Sequence, residues 1–161
     1  MIAADTSALI SVASIDLLDI FLSEFDVHTT ELVIEELEET SEYDDRHGEA
    51  AQIVLDNQDR FTVHDIQGEF TSSRVDEAEA NCALLTKEID ADFLITDDLR
   101  ALPELQIIAH TKVAISPIVL KALVQRNVLT GEKAKEELDA LAENRDWLGA
   151  PIHRRAQYLF D

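Results

Sequence analysis

Short apolar segments alternate with longer stretches of helical periodicity along most of the chain. "IAA" at 2–4 and "ADFLIT" at 91–96 are largely apolar, and each is followed by an aspartate, which is typical of buried strands. "RFTVHDI" at 60–66 alternates between apolar and polar residues, which predicts an edge strand. Two further strands are predicted from "DVHTT" at 26–30 and "QIIA" at 106–109.

Helical spacing of apolar residues fills the intervals between these strands. The predicted helices cover residues 6–25, with a break near Ser14, then 31–39, 48–57, 75–90, 117–129, 131–148 and 151–160, with a short helix or turn over 97–105. Start signals support several of them. Thr29 or Thr30, Asp76 and Thr130 are suitable N-caps, and Pro117 and Pro151 suit the first helical position.

Strands that alternate with helices predict an α/β fold in which helices cover both faces of a parallel sheet. We therefore expect a three-layer α/β/α sandwich with a central parallel sheet of about four to five strands. The chain has 161 residues, which fits one domain over 1–161. Within it, residues 1–115 form the expected core and residues 116–161 add C-terminal helices.

The charge of the chain is extreme, with 34 acidic and 13 basic residues and a net charge of −21. Acids spread over the whole chain are typical of proteins from salt-adapted, halophilic proteomes, because concentrated salt screens their repulsion. The same charge argues against nucleic-acid binding at low salt. The N-terminus lacks the basic segment of a signal peptide and no stretch suits a membrane helix, so we expect a cytoplasmic protein with no membrane partner.

Acidic residues follow two of the predicted strands directly. Asp5 comes after the first strand, and Asp97 and Asp98 come after "FLIT". In parallel α/β sheets, sites lie beyond the carboxyl ends of the strands, where these acids are expected to meet. Each also has a structural explanation, since Asp5 suits an N-cap and Asp97 could cap the next short helix.

Two glutamates on predicted helices can join them. Glu36 lies about 70° from the centre of the apolar stripe of its helix, and its neighbouring glutamates lie farther away. Glu79 is placed to complete a capping box with Asp76, on the helix face that also carries Cys82. Clustered carboxylates cannot all ionise without a cation, and oxygen ligands suit Mg²⁺ or Mn²⁺. A phosphate ester is the natural substrate of such a metal, and Arg100 is the nearest basic residue in these segments.

Four segments in order, "ADTSALI", "VIEEL", "EAEANCALL" and "FLITDDLR", resemble the signature blocks of the PIN-domain (PilT N-terminus, VapC-like) nucleases. The resemblance covers residues 1 to 115 and is weaker beyond, where the helices are similar to those of archaeal PIN proteins. It implies a Rossmann-like α/β/α sandwich and hydrolysis of RNA with Mg²⁺ or Mn²⁺. Since many members are toxins, an antitoxin partner is also expected.

Carried over by position, the resemblance implies that Asp5, Glu36, Glu79 and Asp98 are the catalytic, metal-binding acids. Asp97 is a neighbour that could replace Asp98 as a ligand, and the choice between them stays open, as does the number of metals. The resemblance also implies that three hydroxyl groups orient the scissile phosphate, those of Thr6, Ser7 and Thr96. Ala78 departs from the family pattern, which often has glycine before the central glutamate.

Two other classes of function remain as alternatives. A metal-dependent phosphatase or a receiver domain also uses aspartates at strand ends, but the first needs Asp-x-Asp where this chain has Asp5-Thr6-Ser7. A catalytically weak PIN-fold scaffold would bind a partner instead of RNA. Trp147, Tyr158 and Phe160 are expected to pack the C-terminal helices or to form a dimer or antitoxin surface, and a homodimer is expected. The five histidines show no ligand spacing and are expected to be structural.

Overall fold

The computed structural model describes residues 1–68 and 74–160. Within these ranges a sheet of five strands has the order β3-β2-β1-β4-β5. All neighbouring strands are parallel. The strands are β1 (Ile2–Ala4), β2 (Val27–Thr30), β3 (Thr62–His64), β4 (Phe93–Ile95) and β5 (Lys112–Ala114).

Helices cover both faces of this sheet. In the described part of the chain they are α1 (Thr6–Ser14), α2 (Leu18–Glu24), α3 (Glu31–Ser41), α4 (Arg46–Asp56), α5 (Glu77–Ile89), α6 (Leu102–Ile108), α7 (Ile118–Gln125), α8 (Gly131–Asn144) and α9 (Pro151–Tyr158), with a 3₁₀ turn at Gln58–Arg60. α5 packs across β1, β2 and β4, and α1 packs with α3 and α4. The predicted three-layer α/β/α sandwich with a parallel sheet is confirmed.

The predicted break in the first helical segment is also confirmed. α1 ends at Ser14, and Asp16 takes a left-handed conformation with φ 58°. The axes of α1 and α2 then differ by 117°. No single helix in the described ranges has the length and apolar character to cross a membrane, and α1 and α2 reach them only as this bent pair.

The central strand β1 places the first acid. Ile2 pairs with Val27 of β2 on one side, and Ala4 pairs with Ile95 of β4 on the other. The backbone N–H of Asp5 continues this ladder and donates to the Ile95 carbonyl at 3.1 Å. Because all strands are parallel, the residues that follow β1, β2, β4 and β5 emerge at the same edge of the sheet.

One predicted strand is wrong. "QIIA" belongs to α6, and the fifth strand is Lys112–Ala114. Pro103 lies in the first turn of α6, and Leu102 and Leu105 are buried at helical spacing. Ile107 is 82 % exposed, so the apolar run that suggested a strand is not a buried one.

The C-terminal helices close over the α1 side of the molecule. α8 begins after its N-cap Thr130, and α9 begins at Pro151, as predicted. α7 begins one residue later than predicted, with Pro117 as N-cap and no side-chain cap. Trp147 is buried as expected, whereas Tyr158 is 75 % exposed and does not pack the helices.

Candidate active site

A cleft of about 240 Å³ opens at the carboxyl edge of the sheet. It brings together several of the predicted site residues from three separate segments. Its lining consists of Asp5, Thr6, Ser7, Ile10, Glu36, Asp76, Glu79 and Arg145. A second groove of about 230 Å³ shares Glu36 and Asp76 with it, and the other acids that line this groove are Glu35, Glu39 and Glu77.

Asp5 lies at the base of the cleft and is almost fully buried, with 3 % exposure. It is the N-cap of α1, and its Oδ1 accepts hydrogen bonds from the Ala8 N–H at 3.0 Å and the Ser7 hydroxyl at 2.8 Å. Burial raises the pKa of Asp5 to about 7, although a hydrogen bond from Thr96 lowers it. The capping role and the site position therefore coexist in one carboxyl group.

Asp97 is tied into the fold by bonds that reach distant segments. Its Oδ2 accepts from the Ser11 hydroxyl of α1 at 2.5 Å, and its Oδ1 accepts from the Ser116 N–H at 2.6 Å. Its own N–H donates to the Ser7 hydroxyl at 3.0 Å. Asp97 does not cap the following helix, and it is not among the residues that line the cleft.

Asp98, rather than Asp97, bonds to the backbone of the turn that precedes α6. Its Oδ1 accepts from the N–H groups of Arg100 at 3.0 Å and Ala101 at 3.4 Å. The Asp98 carboxyl group also forms a hydrogen bond with Glu79. Asp98 thus joins the acids of the cleft through Glu79.

Glu79 has two partners, as its position in the sequence suggests. The predicted capping box is confirmed, because the Glu79 carboxylate accepts from the Asp76 N–H at 3.1 Å and the Asp76 side chain accepts from the Glu79 N–H at 2.7 Å. Burial, followed by the hydrogen bond to Asp98, raises the pKa of Glu79 to about 9. Burial and the neighbouring Asp98 carboxyl group therefore both favour the neutral form of Glu79.

Glu36 faces the cleft from α3, at the border of its buried face, as its angular position predicts. Its Oε1 accepts a hydrogen bond from the Thr6 hydroxyl at 2.6 Å. Burial raises the pKa of Glu36, and the bond from Thr6 lowers it. Glu36 has fewer constraints than Asp5, because no backbone N–H bond fixes its carboxylate in the described structure.

The three predicted phosphate-orienting hydroxyl groups all contact acids or their backbone. Thr6 donates to Glu36, and Ser7 bridges Asp5 and the Asp97 N–H. Thr96 is buried, and its hydroxyl accepts from the Asp98 N–H at 3.3 Å. These groups orient carboxylates, while a contact with phosphate stays a prediction.

The cleft fits a hard divalent cation in the chemistry of its donors. All of its acids offer oxygen, and the raised pKa values of Asp5 and Glu79 mark negative charge that a cation would stabilise. In the described ranges, however, no group of three His, Cys, Asp or Glu side chains is arranged so that it could hold a metal ion without rearrangement. Binding by three or more of them requires side chains such as Glu79 to turn from their present partners into the cleft.

Arg145, at the C-cap of α8, is the site residue that sequence reasoning missed. It follows Asp5 by 140 positions, and no motif links the two. Trp147, two residues later, was expected to pack the C-terminal helices or to form a dimer or antitoxin surface, and neither expectation points to Arg145. The position of a cation in an acidic cleft therefore depends on how α8 docks, which local periodicity does not reveal.

Comparison with known proteins agrees with this geometry. The family model described as "DUF3368: PIN domain" matches residues 1–160. No curated protein and no solved structure matches the chain. The match covers both the sheet that carries the acids and the C-terminal helices that carry Arg145. The chain therefore belongs to the PIN-domain family, whose members are generally nucleases.

Proposed function

We propose that this protein is a metal-dependent endoribonuclease that hydrolyses RNA phosphodiester bonds in the carboxylate cleft. The observation that carries the proposal is the cleft in which buried Asp5, Glu36 and Glu79 come together from three separate segments, each with a pKa raised by burial. Acids with such raised pKa values, placed in a cleft, are typical of functional sites. Membership of the PIN-domain family, whose members are generally nucleases, supports hydrolysis of a nucleic acid.

Mg²⁺ or Mn²⁺ would be held by Asp5 and Asp98, with Glu36 and Glu79 binding its waters or a second ion. When bound, such an ion supplies positive charge for the phosphoryl oxygens and a water of lowered pKa. The other residues position these acids. Ser7 fixes Asp5 and Thr6 fixes Glu36, so the carboxylates have a defined orientation before substrate arrives.

Cleavage of a fluorescein-labelled single-stranded RNA at high KCl tests the proposal. We expect activity with Mn²⁺ or Mg²⁺, none in EDTA, and at least about 10²-fold less for Asp5→Asn, because the substitution breaks the ligand set. Asp45→Asn is the matched control, since Asp45 is also a helix N-cap but is exposed. Cleavage that persists in EDTA would contradict the proposal.

Thermal unfolding gives a second measurement that does not need substrate. Mn²⁺ at a hundredfold excess over its dissociation constant should stabilise the folded protein by about 2.7 kcal/mol. Asp5→Asn should reduce that gain, and Asp45→Asn should not. An equal gain in all three proteins would place Mn²⁺ binding away from the cleft.

A catalytically weak scaffold is the second candidate. It is favoured by the lack of three convergent metal ligands within residues 1–68 and 74–160 and by the net charge of −21, which repels RNA. This candidate predicts no cleavage and no Mn²⁺-dependent stabilisation at any KCl concentration. The two measurements above therefore separate the candidates.

The biological setting is proposed on composition and family resemblance. The acidic composition supports activity at high salt, where the Debye length falls to about 3 Å at 1 M and repulsion of RNA weakens. A VapC-like role predicts an antitoxin partner, and we also propose a homodimer. The antitoxin partner is tested by looking for an adjacent antitoxin gene and by co-purification of its product. The homodimer is tested by sedimentation of the pure protein.

A further inference from the structure

Arg145 presents a charged group with unused hydrogen-bonding capacity to the acidic cleft. Its Nε is buried, and no described residue accepts a hydrogen bond from it. Among the described residues no ion pair within 4.0 Å includes Arg145, although Asp97, Asp5 and Asp146 attract it at longer range. A guanidinium group offers five N–H donors, and leaving buried donors unpaired is costly.

The acids near Arg145 have their bonds from other donors. Asp5 accepts from Ala8 and Ser7, and Asp97 accepts from Ser11 and Ser116. Glu36 and Glu79, which also line the cleft, are bonded to Thr6 and to the Asp76 N–H. Arg145 is therefore a cation of the cleft whose charge is not taken up by an ion pair with these acids.

The end of α8 holds Arg145 in this position. The Trp147 N–H donates to the Ala142 carbonyl at 2.7 Å, and Asp146 between them is left-handed with φ 57°. This is a Schellman-type helix end, anchored by the buried Trp147 side chain. The adjacent Asn144 side chain also donates to the Ser14 carbonyl of α1 at 2.8 Å. Two independent contacts thus dock α8 so that Arg145 faces the cleft.

We propose that Arg145 is a substrate-binding residue whose guanidinium group contacts the non-bridging oxygens of an RNA phosphate in the cleft. The planar fork of arginine matches two oxygens of one phosphate. The cleft of about 240 Å³ has room for such a group beside a hydrated cation, since a water takes about 30 Å³. The proposal rests on the proposed function, because it deepens the same site, and it explains how an acidic cleft attracts an anion.

The test compares Arg145→Met, Arg145→Lys and a matched control, Arg154→Met. Arg154 is exposed on α9, so its substitution removes one positive charge without touching the cleft. The first measurement is fluorescence anisotropy of a fluorescein-labelled single-stranded RNA with Ca²⁺ in place of Mn²⁺, at fixed KCl, with gels to verify that the RNA is intact. We expect a 10- to 100-fold higher Kd for Arg145→Met, roughly the value of a charged hydrogen-bonded contact. The Kd of Arg145→Lys should lie between those of wild type and Arg145→Met. The Kd of Arg154→Met should stay within about 3-fold of wild type.

The second measurement is Mn²⁺ titration by calorimetry without RNA. Removing a cation from the cleft should leave the Mn²⁺ affinity of Arg145→Met unchanged or tighter, because Arg145 repels the ion. Weaker RNA binding with unimpaired Mn²⁺ binding supports the proposal. Loss of both together with a lower melting temperature would overturn it, since Arg145 would then be a structural residue.

The outcomes also separate this proposal from the nuclease assignment. If wild type does not cleave RNA with Mn²⁺ but binds it in an Arg145-dependent way, the phosphate contact stands and the nuclease assignment fails. If Arg145→Met cleaves with unchanged kcat/KM, the contact is overturned and the nuclease stands. A wild-type protein that binds no RNA at all overturns the contact as well.

Discussion

Two groups of carboxylates lie at the carboxyl edge of the sheet, in the cleft or beside it, and they are held in different ways. The strand-end carboxylates, Asp5 and Asp97, are each fixed by at least two hydrogen bonds. The rim carboxylates, Glu36, Glu79 and Asp98, belong to helices or to a turn, and their bonds are fewer or local. The first group is part of the framework of the sheet edge, whereas the second can exchange partners at lower cost.

This difference suggests how the site would respond to a cation. The Asp97 bonds join β4 to α1 and to the segment after β5, so moving Asp97 would disturb three elements. The Glu79 carboxylate is bonded to Asp76, three residues away, and leaving that bond disturbs one helix end. If three ligands are to converge on a cation, the rim carboxylates would therefore have to move, while Asp5 keeps its position.

The largest expected effect tests whether the buried Asp5 carboxylate destabilises the metal-free protein when it is ionised. The folded protein keeps the Asp5 proton up to a pKa of about 7, against 3.8 for an ordinary aspartate. Between these pH values the folded state binds more protons than the unfolded chain, so the stability of the metal-free protein falls as the pH rises. The fall is at most about 4 kcal/mol, at about 1.36 kcal/mol for each pH unit. In urea unfolding with EDTA from pH 4 to pH 8, Asp5→Asn should remove this part of the slope, while the part that comes from the raised pKa values of Glu36 and Glu79 should remain.

Asp45→Asn is the control for this pH series, because it removes one charge from an exposed helix N-cap. It should keep the wild-type slope, since asparagine also caps well and the Asp45 side chain is not buried. If Asp5→Asn keeps the same slope as wild type, burial of the Asp5 carboxyl group does not limit stability. The contrast between the two groups of carboxylates would then rest on geometry alone.

The adjacent pair Asp97 and Asp98 gives the next largest effect, because one member belongs to each group. Asp98→Asn keeps the acceptor for Arg100 and loses the charge, so kcat/KM should fall by about 10²-fold with stability within about 0.5 kcal/mol of wild type. Asp97→Asn should cost about 2 kcal/mol of stability, because it weakens two charge-assisted bonds. Cleavage kinetics and urea unfolding of both variants are the measurement. Equal loss of activity with equal stability would show that the pair is not divided in this way.

Much of the fold was predictable because its signals are local. The apolar strands ended where acids begin, Thr130 and Pro151 marked helix starts, and Asp76 with Glu79 formed the expected capping box. The strand at 106–109 was wrong because a short apolar run does not distinguish a strand from a helix face. Pro103, three positions before that run, was the signal for a helix that would have corrected it.

The candidate site was predictable to the level of which acids gather, but not of how each is bonded. Parallel topology places Asp5 and Asp98 at one edge, and helical angles place Glu36 near it. The division of labour between Asp97 and Asp98 depends on Ser11 and Ser116, whose contacts span 86 and 19 residues. Arg145 depends on the docking of α8. Such long-range contacts have no periodic signature, so only the structure reveals them.

The smallest expected effect comes from two consecutive hydroxyl residues in the first turn of α1. Ser7 bonds to Asp5, a strand-end carboxylate, and Thr6 bonds to Glu36, a rim carboxylate. Ser7→Ala removes the donor to Asp5 and the acceptor of the Asp97 N–H, so it should cost about 1 to 2 kcal/mol in urea unfolding at pH 8 with EDTA. Thr6→Val removes one donor to half-buried Glu36, which water can replace, and should cost less than about 1 kcal/mol. A double variant, Ser7→Ala with Asp5→Asn, should lose less than the sum of its parts, because the two residues share a bond. If Thr6→Val proves the more costly of the two, Glu36 belongs with the fixed carboxylates, and a cation would have to recruit its ligands from Glu79 and Asp98 alone.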